Sequence, residues 1–319
     1  MNYFLIELAF DTAVHFGTSD SALSLSTSEQ TFRADTLFSA LCHTALALSG
    51  SEGVEQLCQA VRQDRLRLTD AMPWRGDTLY LPKPLLPAGF DETMDTVTRK
   101  KIKKMAWLPV KSFDRYLASL HGGRFEPEEE PAVFGTSYEL TKAAVRDNPD
   151  AEPYQVGLFR YAPGCGLYVI CGCTGPDAMD RLRPLLEALG QSGIGGKVTS
   201  GYGRFHIEDE ILLDEPFDPQ TRWLCQALTA AHGPYLLLTT SLPGEEELDA
   251  ALEGAAFQLV RRGGFVGAQG AAAKKKTQHF LSAGSVLNAN FEGALYDVAA
   301  DAAHPAFRYA KPVFLGVTL

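Results

Sequence analysis

The densest chemical signal in the chain is Ser192-Gly-Ile-Gly-Gly-Lys-Val-Thr-Ser-Gly-Tyr-Gly-Arg-Phe205, where five glycines stand beside Lys197, Tyr202 and Arg204. Glycine lets a backbone come close to a ligand and turn its N–H groups toward an anion, while Lys and Arg supply charge and Tyr a stacking face. Phosphate or a nucleotide backbone suits that combination, although the same glycines also fit a plain tight turn. Two better-known nucleotide loops are excluded by spacing. A P-loop needs four residues between its first Gly and Gly-Lys-Ser/Thr, whereas only two separate Gly193 from Gly196, and Val198 follows Lys197. The dinucleotide fingerprint fails as well, because Gly193-Ile-Gly195 leads to Val198 and the loop leaves a helix for a strand.

His15, in Val14-His15-Phe16-Gly17, follows the first apolar segment. An imidazole with its ordinary pKa of about 6.5 suits general acid or base work. No partner for it is identifiable, and hydrogen bonding or stacking is the competing role. His43 falls within a helical pattern, and His121, His206, His232, His279 and His304 show no metal-ligand spacing. Glu208, Asp209 and Glu210 are consecutive on a predicted strand, so their side chains alternate between faces and do not converge on one ion. Ser192 lacks a nucleophile elbow, since Ile194 stands where the second glycine is required. The six cysteines form no CxxC pair and read as small buried thiols. Neither a metal nor another cofactor is expected.

The elements that must position these residues follow from periodicity. The apolar residues 2–10 read as a strand, and Leu37, Phe38, Leu41, Ala45 and Leu48 form one stripe of a helix that Asp35 would cap. Residues 72–153 are rich in Pro, Gly and charge, which suggests an insertion with its own task. Residues 155–161 and 166–173 read as a hairpin turned at Ala162-Pro-Gly-Cys165, a helix runs from about Pro176 to Leu189, and Gly190 ends it before a strand at 202–213. That order, βαββαβ, predicts a ferredoxin-like unit. A weaker second copy is expected after the break at 213–218, with strands at 235–242, 257–266, 278–287 and 307–317, a short helix at 245–252 and a poorly marked one near 295–300. The expectation is therefore an α+β chain of two ferredoxin-like domains, 1–213 with its insertion and 214–319.

Net charge is −10, which on average repels a polyanion. The distribution is uneven: residues 99–111 hold six basic residues and no acid, and residues 261–276 five and no acid. An acidic body with two positive segments suits a protein that grips nucleic acid on one side, although basic runs are also ordinary solvated faces. No apolar run reaches the roughly 18 residues that cross a bilayer, and the first residues lack a basic leader, so a cytoplasmic protein without membrane contact is expected.

The glycine loop resembles that of the RAMP superfamily, the repeat-associated proteins of CRISPR systems. Phe32-Arg-Ala-Asp-Thr-Leu-Phe-Ser-Ala-Leu-Cys42, Leu81-Pro-Lys-Pro-Leu-Leu86, Lys103-Lys-Met-Ala-Trp-Leu-Pro-Val110, Val156-Gly-Leu-Phe-Arg-Tyr161, Arg261-Arg-Gly-Gly264 and Lys311-Pro-Val-Phe-Leu-Gly316 extend the likeness over most of the chain. Together they are similar to the crRNA 5′-end subunits of the type III-A CRISPR Csm effector complex. The loop alone fixes only the superfamily; the full set carries the narrower likeness. The resemblance implies two ferredoxin-like (RRM-like) domains with a projecting thumb, and a non-catalytic subunit that holds the 5′ tag of the crRNA. The implied protein partners are the large polymerase-like Csm subunit and a neighbouring backbone RAMP subunit. Carried over, Gly193, Gly195, Gly196, Lys197, Ser200, Tyr202, Gly203 and Arg204 line the RNA path, and His15, Arg33, Asp35, Thr36 and Ser39 flank it. Arg261, Arg262, Gly263 and Gly264 join the RNA-binding set, and Arg99, Lys100, Lys101, Lys103 and Lys104 are candidates for a mobile thumb, the alternative being an exposed amphipathic helix that docks Trp107 and Leu108 into the body. Lys274-Lys-Lys276, after the spacer at 271–273, matches no family motif. Some RAMP proteins are metal-independent RNA endonucleases, so one alternative makes His15 a general acid or base in guide processing. A scaffold that binds protein alone is the other.

Overall fold

β1 (Asn2–Phe10) is apolar at most positions because both of its faces are covered, with Leu5 turned to one core and Ile6 and Leu8 to the other. In the computed structural model, which describes residues 1–17, 24–87, 89, 94–127, 132–144, 152–175, 178–266, 273–300 and 304–319, the fold is α+β with antiparallel sheets. α1 (Ala34–Arg62) turns at Gly50, whose φ of 66° splits it into two helical segments. β2 (Leu66–Leu68) and β3 (Met72–Arg75) pair with β8 (Cys165–Cys173), which in turn pairs with β1. β4 (Thr78–Pro82) and β5 (Trp107–Pro109) extend the sheet beyond β3, and β9 (Phe205–Leu212) closes its other edge beside β1. All nine residues of β8 are buried, which explains a strand without polar alternation. α1 and α4 (Ala178–Ser192) pack on one face; α2 (Thr96–Lys104), α3 (Phe113–Ser119) and α5 (Pro219–Leu228) pack on the other.

Three sequence expectations give way to the observed pairing and docking. The predicted hairpin of 155–161 with 166–173 does not form: β7 (Glu152–Tyr161) pairs along ten residues with β6 (Gly135–Ala144) in a separate two-stranded ribbon. The turn at 162–165 is real, but β8 already has β1 on one side and β2 and β3 on the other. Secondly, the stretch read as an insertion supplies β3, β4 and β5, and Met72, Trp74, Leu79, Leu81 and Leu108 enter the core. Thirdly, the expected mobile thumb at 99–104 is a docked helix. Asp95 caps α2 by accepting the N–H groups of Val97 and Thr98, Lys83 Nζ donates to the carbonyls of Ile102 and Lys103, and Ile102 is buried. The acids at 128–130 and most of the 271–273 spacer lie outside the described residues.

In the C-terminal half, β10 (Tyr235–Leu237) is the middle strand of three, between β15 (Val286–Leu287) and β18 (Phe314–Gly316). α6 (Leu248–Leu252) occupies the expected short helix. Hairpin pairs join β11 (Leu259–Arg262) to β14 (Gln278–Leu281), β12 (Phe265–Val266) to β13 (Ala273–Lys274) and β16 (Leu295–Asp297) to β17 (Phe307–Tyr309). The helix expected near 295–300 is therefore strand, held by pairing of Leu295 with Tyr309.

A polar seam joins the halves. The buried Asp70 accepts the N–H of Ala34 (2.9 Å) and that of Thr240 (3.0 Å) on Oδ1, and the Thr240 hydroxyl (2.6 Å) on Oδ2. Burial pushes its carboxyl above the usual range against these three bonds, which favour the ionised form. The Leu68 N–H donates to the Tyr309 hydroxyl at 2.7 Å, and Lys311 meets Asp64 at 2.6 Å. Asp70→Ala leaves buried donors on both sides of the seam without an acceptor and should cost about 2–5 kcal/mol. Urea denaturation checks this, and a loss below about 0.5 kcal/mol would show the seam to be held elsewhere.

On the second face of β1, Glu7 stands across from Asp209. Burial first, then the charges of Asp209, Glu208 and Asp77, push its carboxyl up to about 7. The folded chain thus holds a proton that the unfolded chain releases near pH 4.5, and stability falls as pH rises from about 4.5 to about 7. Glu7→Gln should raise the melting temperature at pH 8 and lose that advantage by pH 4.5. An equal effect at both pH values would contradict this origin.

Candidate nucleic-acid interface

Residues 11–16 run between the glycine loop and the ribbon, and each neighbour takes part of their hydrogen-bonding capacity. Val14 exchanges two backbone bonds with Phe159 of β7. On the other side, the Gly203 N–H donates to Ala13 O (2.9 Å), the Gly196 N–H to His15 O (2.8 Å) and the Arg204 N–H to the Thr12 hydroxyl (3.0 Å). The glycines are needed for this approach. A Cβ on Gly195 would lie 2.7 Å from His15 O, one on Gly196 2.5 Å from His15 Cδ2, and one on Gly203 2.1 Å from Ile194 O. Gly193, Gly195 and Gly203 also have φ of 92°, 99° and 78°. Contrary to the expectation that these N–H groups face an anion, those of Ile194, Gly196, Ser200, Gly201 and Gly203 are all spent within the protein. These five N–H groups shape the loop and are not open to a ligand.

His15 sits at the crossing, only 6% exposed. Its Nδ1 lies 2.7 Å from Gly157 O, and since a carbonyl only accepts, Nδ1 carries the proton. Beside it a cavity of about 330 Å³ opens along the seam. His15, Arg33, Asp35, Thr36, Ser39, Gly195, Gly196, Arg262 and Gly263, scattered over the sequence, all line it. Two of its cations are already neutralised. Arg33 pairs with Glu29 at 3.0 Å, and Arg262 forms a bidentate pair with the buried Asp35, both contacts 2.8 Å. Arg308 is also buried and ties down the loop after β11, donating to the carbonyls of Arg262, Gly263 and Lys276.

Lys197, Ser200, Tyr202 and Arg204 lie outside the cavity, on the outer side of the loop. Lys197 has a φ of 63°, unusual for a residue with a side chain, and its ammonium lies 5.0 Å from the ring centroid of Tyr154 on β7. Reciprocally, Lys142 of β6 lies 4.7 Å from the ring of Tyr202. Ribbon and loop thus present two cation–aromatic pairs side by side, next to the exposed Arg204. Arg261 is exposed on β11 opposite His279, and Gly264 accepts the Lys275 N–H. Arg99, Lys100, Lys101, Lys103 and Lys104 are not brought to this region; the buried Ile102 anchors their helix to the opposite face of the main sheet.

A curated protein of Mycobacterium tuberculosis named CRISPR system Cms protein Csm4 is 35% identical over 99% of this chain and 98% of its own length. This chain belongs to the Csm4 family. The Csm4 protein of Streptococcus thermophilus is 32% identical over 98% of both chains, and a model of the CRISPR Csm4 C-terminal domain matches residues 231–317. Likeness of fold extends to a chain in the crystal structure of a Csm3–Csm4 subcomplex of the type III-A interference complex, with TM-score 0.66, 14% identity and full coverage of both chains. A chain in the structure of a Csm1–Csm4 cassette with pppApA gives 0.62 at 21% identity, covering 100% of this chain and 99% of that one. For this Csm4 chain, sequence reasoning missed Glu29, Lys142, Tyr154, Lys275 and Arg308 as parts of the region. Only the cluster 274–276 left a visible signal; the ribbon residues have meaning only once β6 and β7 are paired.

Because Nδ1 tethers the His15 ring, the ring has no room to withdraw from a methyl on residue 196. Gly196→Ala should cost about 1–3 kcal/mol, with much of the loss removed in a His15→Ala background. Additive losses in the double mutant would show that the ring does not set the packing here.

Proposed function

We propose that this Csm4-family chain is a non-catalytic, RNA-holding subunit of a cytoplasmic type III-A Csm effector. It grips the 5′ tag of the crRNA between glycine loop and ribbon and bridges the polymerase-like large subunit to the backbone subunits. The observation that carries the RNA reading is the pair of cation–aromatic contacts, Lys142 with Tyr202 and Lys197 with Tyr154, on the outer side of the loop. Such a surface offers stacking faces and phosphate partners to single-stranded RNA without reading its sequence. The assembly reading is supported by solved Csm4 structures containing Csm1 or Csm3. Strand order supports a ferredoxin-like origin for the first half: β9, β1, β8 and then β2 and β3 are arranged as the fourth, first, third and second strands of a βαββαβ unit. Among the described residues no helix is long and apolar enough to cross a membrane.

A holding role for His15 is supported by its surroundings. The ring is buried, fixed through Nδ1 and packed against Gly196, an arrangement that positions the 11–16 segment. Replacing Lys142, Lys197 and Arg204 with Gln should weaken binding of 5′-tag RNA and flatten its salt dependence by about 0.7 in the log–log slope for each phosphate left without its cation. Filter binding at several salt concentrations measures this, and an unchanged slope would overturn the proposed path. The same samples run on a denaturing gel should contain intact RNA, and metal-independent cutting that disappears in His15→Ala would overturn the non-catalytic reading.

A further inference from the structure

α1 turns at Gly50, and the space left between its two segments and the start of α4 is a groove of about 760 Å³. No residue of the seam cavity lines it. Its floor is apolar: Leu57 and Leu182 are buried and Leu185 is half-buried, while Leu48 on the rim is 60% exposed. Contiguous apolar surface of this kind marks an interaction site.

The charges beside it indicate what covers it. Among the described residues the only charged groups in the lining are Arg65 and Arg181, both exposed, and neither side chain has an ion pair or a hydrogen bond. Nearby arginines are treated otherwise. Arg62 pairs with Glu55, Arg67 with Asp64 and Glu292, and Arg183 with Asp180 and Glu210. In a chain of net charge −10, where Asp64 and Asp180 directly precede Arg65 and Arg181, two unmatched guanidinium groups stand over an apolar floor. An occupant that fits must therefore bring apolar side chains and negative charge together.

Backbone pairing is closed to it at Arg65, whose N–H donates to Ala60 O and whose carbonyl accepts the Thr174 N–H. Most of the remaining lining belongs to α1 and α4. Recognition by side chains along a groove between helices is the mode of an amphipathic helix, which lays an apolar stripe on the floor. We propose that this groove docks an acidic amphipathic α-helix of a protein partner, with its apolar stripe against Leu48, Leu57, Leu182 and Leu185 and its carboxylates on Arg65 and Arg181. The proposal is independent of where the chain holds RNA.

The full chain is titrated by fluorescence anisotropy with labelled peptides of about 18 residues, long enough to form a helix. One carries Leu at i, i+3, i+4 and i+7 with Glu elsewhere, a second has Lys in place of Glu, and a third keeps the acidic composition but has central prolines. Wild type should bind the acidic helix at least about ten-fold more tightly than either of the others. Arg65→Glu with Arg181→Glu should invert the preference between Glu and Lys peptides, and Leu48→Asp should weaken the acidic helix about ten-fold. All three positions are exposed, so melting temperatures and binding of 5′-tag RNA should stay at their wild-type values. Should the reversed pair melt lower, Arg65→Gln with Arg181→Gln removes the charge alone and should abolish the preference. Failure of wild type to bind the acidic helix, equal binding of acidic and basic helices, or a preference unmoved by either arginine pair overturns the proposal. Equal binding of the proline peptide overturns the helical form of the occupant, and binding of oleate in place of any peptide overturns the protein partner.

Discussion

The beginning of α1 is buried where the two halves meet, and a helix start exposes N–H groups that need partners. Asp70 answers the Ala34 N–H and in the same stroke engages Thr240. Asp35, one residue along, places a carboxylate where the helix dipole favours it and draws in Arg262. These carboxylates are too buried to stay unpaired, so the C-terminal half must arrive in a defined register. The cavity, the loop after β11 and the position of Lys275 all follow from that requirement.

Within an acidic chain the cations near the cavity divide by task. Arg262 and Arg308 are structural, one neutralising Asp35 and the other pinning backbone carbonyls, and Arg33 is matched by Glu29. Lys142 and Lys197 lean on aromatic rings, and Lys275 is left over. Arginine suits the first task because its planar fork makes several fixed bonds, and lysine the second because its compact charge can be redirected toward a ligand.

Elements whose pattern is local were legible in the sequence. β1 and the stripe of α1 from Leu37 to Ala45 needed only neighbouring residues, whereas Leu48 is exposed, α4 runs through Gly190 to Ser192, and a bulge turns Ile211 to the other core from Phe205 and Ile207. In β9, Glu210 pairs with Arg183 while Glu208 meets His206. The glycine loop was legible as a place of close approach, but not what approaches, since a glycine that admits a phosphate is the same as one that admits His15 O. β2, β3, β4 and β5 are three to five residues long and owe their strand character to β8 or to one another, which no local window contains. The thumb reading failed because charge density was taken for looseness, whereas Ile102 and two end caps suffice to dock α2. Lys275 was visible as a residue and not as part of the cavity lining, because Asp35 and His15 lie some 240 or more positions away.

The pairing of β1 with β8, such as Leu8 with Leu167, also imposes an order in time. At the 5–20 residues per second typical of synthesis, the first strand waits about 10–30 s for its partner, and the seam cannot close until Arg262 and Arg308 have left the ribosome. Such distant contacts make a slow-closing topology, with β1 exposed as an unpaired apolar edge in the interval. Nascent chains arrested before the C-terminal half would therefore display the glycine loop beside a cavity that still lacks Arg262, Phe307 and Arg308, so the cavity is complete only when translation is.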